Sequence, residues 1–108
     1  MSAPVTAVTQ FHWPADVLDF AARQNLDEYL EPLLQVTQRV FSTAHRTNAI
    51  LEKDPEIPGD WHITFEVRAP DLSSSDAAEA RNRWITELFT SCPAPLACFF
   101  RLFLFLGD

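Results

Sequence analysis

The chain ends in CPAPLACFFRLFLFLGD, Cys92 to Asp108, and between Leu96 and Leu106 the sole charge is Arg101. A short run this apolar and this rich in phenylalanine reads as a β-strand buried on both faces. That demand constrains the fold more than any other feature, because something must lie on each side of the strand. The cover comes from the same domain or from another molecule. Successive strand side chains point to opposite faces, so the run sorts into two sides. Leu96, Cys98, Phe100, Leu102, Leu104 and Leu106 make a wholly apolar side suited to the core. Ala97, Phe99, Arg101, Phe103 and Phe105 make the other, and its arginine marks the side turned away from the core.

The upstream sequence supplies elements for one face. Pro14 suits the first position of a helix, where a fixed φ and a missing N–H cost nothing. Val17, Leu18, Phe20, Ala21 and Ala22 then give a short helix ending near Gln24. Asn25 followed by Glu28 reads as a capping box opening a second helix. Leu26, Tyr29, Leu30, Leu33, Leu34, Thr37, Val40 and Phe41 recur at helical spacing along it. Pro32 implies that this helix kinks or properly begins there. Arg46 to Lys53 is extended in character, and Trp61 to Arg68 alternates cleanly. Trp61, Ile63, Phe65 and Val67 face one way, while His62, Thr64, Glu66 and Arg68 face the other, the pattern of a half-buried strand. DPEIPGD, Asp54 to Asp60, joins the two strands as a hairpin loop. After a turn at Pro70 to Ser75, Asp76 and Glu79 make a second capping arrangement. Ala77, Ala80, Trp84, Ile85, Leu88 and Phe89 line a third helix, which Pro93 and Pro95 stop after Ser91.

The expected fold is therefore α+β, in the order ααββαβ, with three helices packed on one face of a three-stranded mixed sheet. The first two strands pair antiparallel. The third returns through a helix and runs parallel to the second, with a right-handed crossover. Residues 13–108 make this single domain; residues 1–12 are an N-terminal arm, or an edge strand that brings the sheet to four. A chain of 108 residues buries enough surface to fold without disulfides. Its two cysteines, Cys92 and Cys98, are read as reduced thiols.

Charge excludes several classes of function. Eight basic against fifteen acidic residues give a net charge of −7, Lys53 is the only lysine, and the arginines form no run. Nucleic-acid binding draws on clustered cations that displace counterions, so neither nucleic acid nor an anionic membrane is an expected partner. An aromatic stripe on an open sheet suits single-stranded RNA, but Glu52, Glu66 and the acidic loop beside it oppose that use. The closing run falls short of the roughly 20 apolar residues of a membrane helix. Met1 to Gln10 has neither the basic start nor the apolar stretch of a secretory leader, and a cytoplasmic setting is expected.

Chemistry is weakly represented. With only Gly59 and Gly107 as glycines there is no phosphate cradle, and no cofactor is expected. Asp54, Glu56, Asp60 and His62, with Glu52 nearby, are candidate ligands for a hard cation, although their spacing matches no recognised loop. This acidic hairpin and His62 define the alternative reading, a small metal-dependent or acid–base enzyme. A cysteine nucleophile at Cys92, with His12, His45 or His62 as base, suffers from its place at a helix C-terminus, the wrong end of the dipole. Cys98 is expected to be an inert filler of the final strand.

The segments DPEIPGDWHITFEV, Asp54 to Val67, and CPAPLACFFRL, Cys92 to Leu102, together resemble short uncharacterised bacterial proteins, over a stretch from about Trp13 to Leu106. The resemblance implies a bacterial cytoplasmic origin and a helix-covered sheet; it attaches no activity. Some small acidic proteins of this kind serve as inhibitors or accessory partners of a neighbouring gene product. The expectation is thus a non-enzymatic interaction or inhibitor-type module. It self-associates as a homodimer, or docks a protein partner, through Phe99, Arg101, Phe103 and Phe105, with Arg101 paired to Glu66 across the sheet.

Overall fold

Residues 11–107 are described by the structure, a computed structural model. Helix α1 spans Ala15–Arg23, with Pro14 just outside it as the cap at φ −62° and ψ 145°. The helix closes in a Schellman turn. The Leu26 N–H donates to the Ala21 carbonyl at 2.7 Å and the Asn25 N–H to that of Ala22 at 3.4 Å. Asn25 takes φ 61°, a left-handed conformation that asparagine tolerates better than most residues. Asn25 therefore ends α1 instead of capping the next helix, and the expected capping box with Glu28 does not form. Helix α2, Asp27–Val40, starts behind Leu26 with no side-chain cap and runs through Pro32. That proline lies on the exposed face, where water can satisfy the carbonyl left without a donor.

Helix α3 spans Ser74–Ser91, and its cap is Ser73, whose hydroxyl accepts the Asp76 N–H at 3.0 Å. The capping residue thus lies three positions before Asp76, which sits instead in the first turn where its charge suits the helix dipole. A further short helix, α4, Ala94–Ala97, follows Pro93. The N–H groups of Leu96 and Ala97 both return to the Pro93 carbonyl, at 2.9 and 2.8 Å. Two prolines near a helix start lose no hydrogen bond and arrive with helical φ. The final strand consequently begins at Phe100, and Leu96, Ala97, Cys98 and Phe99 stand outside it.

The strands are β1, Arg46–Lys53, β2, Trp61–Arg68, and β3, Phe100–Phe105. They are ordered β1-β2-β3, with β2 in the middle, antiparallel to β1 and parallel to β3. Ile63, Phe65 and Val67 of β2, with Phe100 and Leu102 of β3, form a buried layer. It packs on Val17 and Phe20 of α1, Leu30, Leu33 and Leu34 of α2, and Trp84 and Leu88 of α3. The helices accordingly cover one face of the sheet, as a two-layer α+β domain requires. Phe65 sits at the centre, its ring 6.2 Å from Trp13, 6.3 Å from Trp84 and 6.4 Å from Phe100.

The expected order ααββαβ and the mixed three-stranded sheet are found, with α4 as an addition. Phe11 and Trp13 pack on the core side. Residues 1–10, on which the arm or fourth strand would fall, lie outside the described residues. Among the described residues no helix is long and apolar enough to cross a membrane.

Candidate protein-interaction surface

The face of the sheet away from the helices is built by register. Arg101 lies opposite Thr64, Phe103 opposite Glu66 and Phe105 opposite Arg68. From the other side Ile50, Asn48 and Arg46 oppose Thr64, Glu66 and Arg68. Arg101, Phe103 and Phe105 therefore point away from the core. Phe103 is 50 % exposed and meets Phe105 edge to face at 4.7 Å. The Arg68 guanidinium lies 4.8 Å above the Phe105 ring, a cation–π contact that leaves one aromatic shielded and the other open.

Two expectations for this face need correction. Phe99 precedes β3 and packs with its ring 5.8 Å from Phe20 on the helix side, because the α4 turn resets the alternation assumed for an unbroken strand. Arg101 does not face Glu66: the parallel register sets Thr64 against Arg101 and Phe103 against Glu66. Glu52 organises the other end of the face. Its Oε1 accepts the Thr64 hydroxyl at 2.7 Å and lies 3.4 Å from His62 Nε2. His62, expected on a solvent face, is only 7 % exposed, and its Nδ1 has no hydrogen-bond partner among the described residues.

The acidic loop is stapled to itself. Asp54 Oδ1 accepts the N–H groups of Glu56 at 2.8 Å and Ile57 at 3.1 Å. The Glu56 bond first, then that of Ile57 and the charges of Arg101 and His62, hold its carboxyl below the usual value against a smaller opposing effect of burial. An Asp committed to its own turn is a poor ligand. Asp54, Glu56, Asp60 and His62 are not gathered, and among the described residues no three His, Cys, Asp or Glu side chains converge as a metal set. Cys92 is buried, and burial followed by the Glu28 charge pushes its thiol up, the opposite of an activated nucleophile. Cys98 is exposed, with Sγ 3.6 Å from the Ala94 carbonyl, so it is no strand filler.

The open edge of β3 adds what the sequence reading missed. Ile63 N–H donates to the Phe99 carbonyl at 2.7 Å and Ala69 N–H to that of Phe105 at 2.9 Å. In a parallel ladder alternate residues turn to opposite neighbours. Phe100, Leu102 and Leu104 thus aim their main-chain N–H and C=O groups outward. Beside this edge α3 presents Ile85 and Phe89, 38 % and 54 % exposed. Both belong to the apolar stripe that lines this helix in the sequence. Of the α3 stripe only Ala77, Ala80, Trp84 and Leu88 are buried, and the excess width of that stripe was the available signal. The helix and the strand edge enclose a groove of about 390 Å3. A second hollow of about 440 Å3, among Phe20, Leu51, Trp61 and Phe99 with Arg23 and Asp60, lies on the helix side near the hairpin loop.

The chain matches no protein-family model, no curated protein and no solved structure.

Proposed function

We propose that this protein is a non-enzymatic interaction module of the inhibitor or accessory type, acting in the bacterial cytoplasm and binding a protein through β3. The observation that carries the reading is Phe103. It is a half-exposed phenylalanine in the middle of an edge strand of the described sheet, on the face opposite the helix-packed core. With Phe105 packed edge to face beside it, it starts an apolar patch of the kind that marks contact sites when contiguous, and an apolar edge strand invites pairing. A second copy needs only one self-complementary surface, so a homodimer is the simplest form. A foreign partner uses the same strand. The net charge of −7 and the lack of any run of basic residues speak against nucleic acid as the partner.

The test is Phe103→Asp. Its helix content by circular dichroism should equal that of the wild type. Its mass by light scattering should fall to that of one chain, or a partner retained from the native extract should be lost. A wild-type protein that runs as one chain and retains no partner sinks the proposal.

A further inference from the structure

We propose that the groove between α3 and the open edge of β3 receives an extended, apolar segment of a protein partner bearing a carboxylate, added to the sheet as a fourth strand. The inference rests on the reading of β3 as the interaction strand and specifies what that strand takes.

Backbone geometry supplies the first argument. Phe100, Leu102 and Leu104 direct N–H and C=O groups that are unpaired among the described residues to the open side, the template that strand addition uses. Natural sheets blunt such edges with lysine, proline or alternating charge. β1, at the other edge, carries exposed Arg46, Glu52 and Lys53, whereas β3 reads FRLFLF. Side chains alternate across an added strand. One set would lie against Ile85, Leu88 and Phe89 in the groove, and the other beside Phe103 on the open face.

Charge decides the partner's chemistry. Arg81 from α3 and Arg101 from β3 are the only charged residues among those lining the groove. Neither has a carboxylate within ion-pair distance among the described residues, where the ion pairs involve Arg23, Arg39, His45 and His62. Arg101 acts on Asp54 through space without pairing to it. In a chain of net charge −7, an apolar groove marked only by two unpaired arginines is complementary to a strand with an acidic side chain. Pairing β3 with β3 of a second copy would double the arginines there and bring no carboxylate, because β3 itself carries none.

The test titrates the intact protein against fluorescein-labelled Thr-Val-Thr-Val-Glu-Val-Thr-Val and its Glu-to-Gln counterpart, reading anisotropy. The Glu peptide should bind saturably at one per chain and about ten-fold more tightly than the Gln peptide, the scale of one charge-assisted contact. One of Arg81→Gln and Arg101→Gln, whichever lies on the side of the added strand that carries the Glu, should remove that preference, with unchanged circular dichroism and the Gln peptide's affinity left in place. N-methylation of alternate peptide nitrogens should abolish binding in one phase of the alternation and not in the other. Equal affinity for the two peptides, or a preference that survives both arginine variants, overturns the inference. No peptide binding by a wild type that is a dimer split by Phe103→Asp also overturns it, yet leaves the interaction reading intact. No peptide binding by a wild type that is a single chain without partner defeats both.

Discussion

Thr37 links two helices through a single oxygen. Its hydroxyl donates to the Leu33 carbonyl at 2.7 Å and accepts the Trp84 indole N–H at 2.9 Å, with both residues buried. Valine has nearly the same shape but leaves the indole N–H without an acceptor. Thr37→Val should therefore lose about 1–3 kcal/mol in urea unfolding. Thr37→Ser, which keeps the acceptor, should lose less. The reverse order would mean that packing, not the hydrogen bond, matters there. The cysteines differ in the same local way. Cys92 is buried with its thiol pushed up, and Cys98 is exposed. At pH 8 iodoacetamide should label Cys98 first, with Cys92 labelled only on unfolding, as mass spectrometry of peptides would reveal. The sign of the linkage follows. The folded state holds Cys92 protonated after the unfolded chain has begun to ionise, so its contribution is complete below the ordinary thiol value and is lost as pH rises past it.

At the scale of elements, ends were harder to read than interiors. The alternation of Trp61 to Arg68 identifies β2 to the residue, because period two is a property of local backbone geometry. Asn25 and Asp76 each looked like caps, yet Asn25 closes α1 and Ser73 caps α3. Short polar side chains serve turns, C-caps and N-caps alike, and only the path of the chain selects among them. The left-handed φ of Asn25 makes a prediction: Asn25→Ala should lower Tm by several degrees, since about 1 kcal/mol corresponds to about 4–8 °C in a domain of this size. Asn25→Gly should match or exceed the wild type. An alanine variant as stable as the glycine one would contradict the Schellman turn. The stretch Leu96 to Phe99 was read as strand for a related reason. Apolar residues fit a helical turn or a strand equally, and the two prolines that favoured the turn looked like a stop signal for α3.

For the whole molecule, the consequence of one-sided cover is that the two faces of β3 serve different ends. Leu102 is 8 % exposed on the helix side and Phe103 is 50 % exposed on the other. Leu102→Asp should unfold the domain, by burying an unpaired charge. Phe103→Asp should change stability by only about 0.5 kcal/mol, the usual range for surface substitutions, while changing association. Equal destabilisation by both would mean that the outer face is covered within the chain. From the residues alone came the α+β class, the apolar side of β2, the outward turn of Arg101, Phe103 and Phe105, and the parallel return of β3, all of which follow from local periodicity and from connection rules. The tertiary structure decided that β2 is central and β3 an edge among the described strands, that His62 is buried, and that Ile85 and Phe89 line a groove. Those outcomes depend on which distant segments meet, and periodicity marks which side of an element is apolar without saying what, if anything, comes to lie against it.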